Sequence, residues 1–101
     1  MRYVSTRGEA PVLGFCDALL AGLARDGGLY VPQSWPVLSH AKIASFAGKA
    51  YWQVAEAVIA PFVGDEIEPA ALRRMIQEAY GSFNHPAVVP LVQIGDNLFV
   101  Q

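Results

Sequence analysis

The sequence predicts an α+β domain that is mostly helical, with about three to four helices and a few short strands. Three observations support this class. Apolar residues recur at helical spacing in three separate segments, and turns rich in glycine or proline bound several short β-prone runs. The length of 101 residues is that of one domain, so residues 1–101 are treated as one unit.

The N-terminal third predicts two short strands around one helix. Residues 2–6 favour a strand because Tyr3 and Val4 have high β propensity. A helix follows with Gly14 as its N-cap, and the glycines of "RDGG" are expected to end it. One face of that helix is predicted to carry Phe15, Ala18, Leu19, Gly22 and Leu23. Residues 29–31 form a second extended segment that Pro32 stops.

The middle of the chain predicts three helices. Ser39 is the expected N-cap of a short one, and a longer, mostly buried helix covers residues 49–62. Pro69 is a favourable first residue for an amphipathic helix over residues 69–80. Its inward face is predicted to carry Leu72, Met75, Ile76, Ala79 and Tyr80, and its outward face Arg73, Arg74, Gln77 and Glu78.

The C-terminal residues predict a β-hairpin. The apolar runs "LVQI" and "LFV" flank Gly95-Asp96-Asn97, which is a turn signal. The last strand is still apolar at Gln101, whereas termini usually fray in polar sequence. We therefore expect a longer polypeptide whose final strand is cut here.

The composition indicates more apolar surface than a free domain of this size can bury. Hydrophobic residues make up 53% of the chain and charged residues only 16%, against a usual charged share of about 25%. An extended exposed apolar patch usually belongs against a partner. An ordinary apolar-rich domain with scattered exposed residues is an alternative that composition alone leaves open.

Charge and hydropathy argue against two classes of partner. The net charge of −2 and the dispersed basic residues predict no nucleic-acid binding. No apolar stretch has the length of a signal peptide core or a membrane span, so we expect no membrane partner and a cytoplasmic protein. The single Cys16 suits a reducing compartment, and we expect it to be a small buried residue rather than a nucleophile.

The residue types that carry chemistry do not form a recognisable site. His40 and His85 have no ligand partners at metal-binding spacing, and His85 is expected to bond to backbone in a loop. No G-x-S-x-G elbow is present. Lys42 and Lys49 are the only lysines, and neither lies in a context that would activate it. We therefore assign no catalytic, cofactor-binding or metal-binding residue.

Two further patterns have structural interpretations. The acidic cluster of Asp65, Glu66 and Glu68 could bind a cation, but it precedes a helix whose dipole it would complement. Gly27 and Gly28 lack both phosphate-loop patterns, so we interpret them as turn residues.

Three blocks in order carry a family resemblance: "YVSTRG", "LGFCDALLAGLARDGGLYVP" and "FNHPAVVPLVQIGDNLFVQ". Together they closely resemble the N-terminal domain of the bacterial and fungal threonine synthases, across nearly the whole chain. Two departures are mild. Gly14 stands where that family usually has serine, and Arg25 stands where proline is common.

The resemblance implies the cap domain of a fold type II enzyme that uses pyridoxal phosphate. That family converts O-phospho-L-homoserine and water to L-threonine and phosphate. Its cofactor lysine lies in a Phe-Lys-Asp motif shortly after the strand that here ends at Gln101. The implied partner is thus the cofactor domain of the same polypeptide. By itself the segment is expected to bind no cofactor and to be inactive.

Two alternatives stay open at this stage. A related phospholyase would share this domain but eliminate phosphate to give an oxo acid. A stand-alone interaction module would reuse the domain without any catalytic part.

The gene separates the enzyme interpretations from the stand-alone module. We expect a Phe-Lys-Asp motif within a few dozen codons after Gln101, because the cofactor needs a lysine to form its imine. Sequencing the gene beyond that codon checks this. A stop codon directly after Gln101 would contradict the enzyme interpretations.

Overall fold

The computed structural model describes residues Met1–Gln101 and confirms the mostly helical α+β class. The elements in chain order are β1 (Tyr3–Ser5), α1 (Phe15–Ala21), β2 (Tyr30–Pro32), α2 (His40–Ala44), α3 (Tyr51–Val63), α4 (Pro69–Gly81), β3 (Val92–Gly95) and β4 (Leu98–Val100). The strands form two separate antiparallel pairs, β1 with β2 and β3 with β4.

The core lies between α3 and α4. Val63 is fully buried at the end of α3, and it packs with Leu72 and Ile76 of α4. At the other end of the pair, the rings of Tyr51 and Tyr80 meet edge to face with centroids 4.8 Å apart. The amphipathic pattern of α4 therefore identified two true core residues, although Met75 from the same predicted face is 49% exposed.

The helix boundaries follow local signals. The Ser39 hydroxyl accepts a hydrogen bond from the Lys42 amide at 3.1 Å, which confirms it as the N-cap of α2. Pro69 is the first residue of α4, as predicted. Helix α3 begins two residues later than expected because Ala50 has an extended backbone and serves as the N-cap, with its amide donating to the Gln53 side chain.

Helix α1 ends one turn earlier than the sequence predicted. Gly22 was expected inside the helix, but it takes a φ of 66° and ends α1, and its amide donates to the Ala18 carbonyl. Only Phe15 and Ala18 of the predicted apolar face are covered, whereas Leu19 is 68% exposed and Leu23 is 66% exposed. The periodicity was correct, but nothing in this chain covers most of that face.

The β1–β2 pair is tied to the helical core by one side chain. Tyr3 pairs with Pro32 in the strand register, and its hydroxyl donates to the Phe62 carbonyl at 2.7 Å. Its ring also packs against Phe15, with centroids 6.1 Å apart. Tyr3 thus joins β1, α1 and α3.

The predicted hairpin is present as β3 and β4, and every residue in both strands is exposed. Asn97 closes its turn with a φ of 56°, a conformation that asparagine tolerates. An isolated two-stranded hairpin is marginally stable in water. The rest of this chain therefore adds little to the stability of the hairpin.

The chain is expanded for its length. Its radius of gyration is 16.9 Å, against about 13 Å for a compact domain of this size. Its accessible surface is 7306 Å², about 1,700 Å² more than the ~5,600 Å² expected for a monomer of this mass. That excess is about twice what one partner contributes to an interface of standard size.

Removing a core side chain tests the packing of α3 on α4. Ile76→Ala should lower the free energy of unfolding by about 2–4 kcal/mol, because the residue is buried and its removal leaves a cavity. Urea unfolding followed by circular dichroism measures this. The control Val37→Ala, at a position 89% exposed, should change stability by less than about 0.5 kcal/mol. Equal effects of the two substitutions would contradict the core assignment.

Candidate functional site

The carboxylate of Asp26 joins two of the sequence blocks that are far apart in the chain. It accepts hydrogen bonds from the Ser5 hydroxyl at 2.8 Å, from the Glu9 amide at 2.9 Å and from the Gly28 amide at 2.9 Å. "YVSTRG" and "RDGG" are therefore two halves of one hydrogen-bonded structure, which we call the Asp26 cluster (residues 5–9 and 26–29).

Neighbouring groups extend this cluster. The Thr6 hydroxyl accepts from the Leu29 amide at 3.0 Å, and the Thr6 amide donates to the Leu29 carbonyl at 2.9 Å. The guanidinium of Arg7 donates to the Asp26 carbonyl oxygen at 3.0 Å. The backbone of the turn is thus fixed from both sides by side chains of the first block.

Both glycines of the turn are sterically required. Gly27 has a φ of 78°, and a Cβ at Gly28 would lie 2.3 Å from the Ser5 hydroxyl oxygen. Their amides donate to acceptors in the chain itself, the Ala24 carbonyl and the Asp26 carboxylate. The interpretation as turn residues rather than a phosphate loop is confirmed.

The electrostatics of Asp26 follow from these bonds. Partial desolvation alone would raise the pKa of Asp26, but hydrogen bonds from Gly28, Ser5 and Glu9 together hold that pKa below its ordinary value of 3.8. The charged form is therefore the form that the cluster stabilises.

Glu66 corrects the prediction for the acidic cluster. The predicted role of these acids was to complement the helix that follows them, yet the Glu66 carboxylate accepts from the amides of Phe15 and Cys16 at 2.6 and 2.9 Å, at the start of α1. Glu68, the N-cap residue of α4, makes no side-chain cap bond. A helix N-terminus is stabilised by a carboxylate from any part of the sequence. The prediction relied on closeness along the chain and therefore paired Glu66 with the wrong helix.

This contact accounts for Gly14, the position where the resembled family usually has serine. Gly14 provides no side-chain cap to α1, and Glu66 supplies the missing acceptors. A Cβ at Gly14 would lie 2.3 Å from a carboxylate oxygen of Glu66. Glycine at this position is therefore coupled to the presence of Glu66.

The same contact shifts two pKa values. The amides of Cys16 and Phe15 hold the pKa of Glu66 below its ordinary value of 4.5. Desolvation, followed by the negative charge of Glu66, raises the pKa of the Cys16 thiol. Cys16 is partly exposed rather than buried as predicted, but its surroundings favour the unreactive thiol.

The remaining candidate residues are dispersed. His85 accepts a hydrogen bond at Nδ1 from the Ala87 amide at 3.0 Å, which confirms its predicted contact with loop backbone. His40 begins α2, and no group of three or more His, Cys, Asp or Glu side chains could hold a metal ion. Lys42 and Lys49 are exposed, each with its ammonium about 6 Å from the centre of the Phe46 ring. None of the four helices combines the length and the apolar composition of a membrane span.

Two exposed apolar surfaces are the most prominent features of the exterior. The first, the leucine surface, consists of Leu19, Leu20, Leu23 and Leu29, which are between 57% and 85% exposed. The second, the hairpin surface, consists of Leu91, Val92, Ile94, Leu98, Phe99 and Val100. Monomeric proteins rarely leave such patches in water, so these surfaces are the candidate functional site.

Sequence reasoning missed Asp26 and Glu66 as organising residues. For Asp26 a signal was available, because an aspartate directly before two glycines at a helix end commonly bonds to nearby backbone. For Glu66 no local signal existed, since its partners lie 50 and 51 residues away.

The two lowered carboxyl pKa values predict acid sensitivity. A carboxyl whose folded pKa lies below its unfolded value stabilises the fold fully above the unfolded pKa, and this stability is lost as the pH falls through the folded value. The free energy of unfolding should therefore decrease below about pH 5. Asp26→Asn should lower the urea midpoint at pH 7. As the pH is lowered, the midpoint of this variant should also decrease less than that of the wild type. The control Asp65→Asn, at an exposed side chain, should leave both unchanged, and identical pH profiles for wild type and Asp26→Asn would contradict this account.

Comparison with known proteins gives one consistent result. The family model described as threonine synthase N terminus matches residues 2–80. Threonine synthase from Pseudomonas aeruginosa is 50% identical over 100 residues, which cover 99% of this chain and 21% of that protein. The human protein threonine synthase-like 2 is 37% identical over 101 residues, again 99% of this chain and 21% of the relative.

Solved structures agree in fold. The structure of pyridoxal-phosphate-bound threonine synthase from Brucella melitensis matches with a TM-score of 0.91 and 62% identity, covering 99% of this chain and 22% of that one. Yeast threonine synthase matches with a TM-score of 0.83 and 32% identity, covering 92% of this chain and 19% of that one. The chain thus spans about a fifth of the length of these relatives. With the family match, the identities and the shared fold in agreement, this chain belongs to the threonine synthase N-terminal domain family.

Proposed function

We propose that this chain is the N-terminal part of a pyridoxal-phosphate-dependent threonine synthase that converts O-phospho-L-homoserine and water to L-threonine and phosphate. In this proposal the chain packs its leucine surface and hairpin surface against the rest of the enzyme. It helps to shape the substrate cleft, and the chemistry takes place on residues outside positions 1–101. We also propose a cytoplasmic location for this enzyme.

The observation that supports the proposed docking is the large amount of exposed apolar surface. Ten large apolar side chains make up the leucine and hairpin surfaces, and all are at least 46% exposed. Fully burying one such side chain is worth about 1.5–3 kcal/mol, so covering even part of these surfaces provides a strong driving force for association. A further domain of the same polypeptide would be present at high effective concentration.

The residues present do not fit pyridoxal phosphate itself. The cofactor requires a lysine in desolvated surroundings that keep its amine neutral, whereas both Lys42 and Lys49 are exposed. We therefore route no step of the reaction through this segment, and we propose that it is inactive without the remainder of the enzyme.

The contribution of the segment is positional. The Asp26 cluster and the Glu66 cap fix both ends of the stretch that carries the leucine surface. Tyr3 links this stretch to α3. The leucine surface is thus held on a fixed scaffold, which lowers the entropic cost of docking.

A related phospholyase is the second candidate. It would share this N-terminal domain, but the identities of 50% and 62% to two bacterial threonine synthases favour the first candidate. The two activities differ in product. Formation of L-threonine from O-phospho-L-homoserine supports the first candidate, and formation of an oxo acid with phosphate supports the second.

Charged substitutions on the leucine surface test the docking proposal in the whole polypeptide. Leu20→Glu combined with Leu23→Glu should lower kcat/KM for L-threonine formation at least tenfold, because two carboxylates would be buried in an apolar interface. The matched control Val37→Glu, at a position 89% exposed and outside both surfaces, should keep activity within twofold. Full activity of the double variant would overturn the proposed interface.

The 101-residue chain alone provides the complementary test. Titration with pyridoxal phosphate should give no saturable imine absorbance, and the chain should self-associate or bind a hydrophobic dye. A stoichiometric imine on one lysine would overturn the proposal that the cofactor lysine lies elsewhere. Strictly monomeric behaviour without dye binding would count against the apolar interface.

A further inference from the structure

A depression between α2, α3 and α4 is lined by three of the seven lysines and arginines of the chain. Lys42, Lys49 and Arg73 line it, together with Trp52 and Glu56, and its volume is about 420 Å³. The chain has only seven lysines and arginines, and both of its lysines lie here. This gathering contrasts with the net charge of −2 of the whole chain.

The single acid in the depression does not neutralise it. Both carboxylate oxygens of Glu56 accept from Nε of Arg73, at 3.0 and 3.1 Å. This contact orients the guanidinium and leaves its terminal amino groups without a protein acceptor. Lys42 and Lys49 form no ion pair with any carboxylate. With three cations and one carboxylate, the lining has a net charge of +2.

The two lysines contact the same aromatic ring. Both ammonium groups approach the ring of Phe46, Lys42 at 5.9 Å and Lys49 at 6.0 Å from its centre. The ring attracts each of them, but it neutralises neither charge. A dianion bound in the depression would balance the net charge of +2 of its lining and provide acceptors for its ammonium and guanidinium groups.

We propose that this depression binds a phosphate dianion, either inorganic phosphate or the phosphate group of a small monoester. Its volume exceeds that of phosphate alone and lies in the range of small-molecule sites, so the indole of Trp52 provides a wall for an organic group. None of the lining residues belongs to the leucine or hairpin surface. The proposal therefore does not depend on the proposed docking.

Nuclear magnetic resonance titration of the ¹⁵N-labelled whole polypeptide tests the site. Inorganic phosphate and glycerol 3-phosphate are added in separate arms, with potassium chloride holding the ionic strength constant. We expect saturable shifts at the Trp52 indole and at the Arg73 side chain. Equal affinity in the two arms assigns the site to phosphate alone, and tighter binding of glycerol 3-phosphate assigns it to a monoester.

Matched variants separate a site from general electrostatic attraction. Lys42→Ala combined with Lys49→Ala should weaken phosphate binding at least tenfold. The control, Arg25→Ala combined with Arg74→Ala, removes the same charge at exposed positions outside the depression. This control should change the affinity for phosphate less than twofold. Lys42→Arg with Lys49→Arg should retain binding. Shifts that do not saturate, or equal losses in the two alanine pairs, would overturn the proposal.

Discussion

The constraint on which this structure depends is the small size of its hydrophobic core. Of 101 residues only eight are buried, and the one fully buried large side chain is Val63. The buried cluster of Val63, Leu72 and Ile76 joins α3 to α4, and the other buried apolar side chains, Tyr3, Ala18 and Ala24, lie in the N-terminal third of the chain. A partner that covers the leucine and hairpin surfaces would complete the burial that the chain itself lacks.

Polar contacts provide local order where the core does not. Asp26 and Glu66 each accept hydrogen bonds from backbone amides of a distant segment, and these bonds lower the pKa of both carboxyl groups. The first block of the sequence is thus bound to the glycine turn, and α1 is bound to the loop before α4. This arrangement fixes the exposed leucines of α1 in position without burying them, as a docking surface requires.

The sequence predicted those features that depend on neighbouring residues. Pro69, Ser39 and the Gly95-Asp96-Asn97 turn marked element boundaries correctly, and helical periodicity found Leu72 and Ile76. It failed where the decisive partner was distant or absent. Glu66 caps a helix 50 residues earlier in the chain, and Leu19 and Leu23 lie on a predicted inner face that nothing in the chain covers. The apolar surplus was nevertheless visible in composition, and the motif blocks identified the family.

The central claim is that the β3–β4 hairpin is ordered by residues outside this chain. Hydrogen exchange of its backbone amides, compared between the 101-residue chain and the whole polypeptide, tests this most directly. We predict near-unprotected exchange for the amides of Val92–Gly95 and Leu98–Val100 in the chain alone, and strong protection in the whole polypeptide. Equal protection of these amides in both would contradict the account.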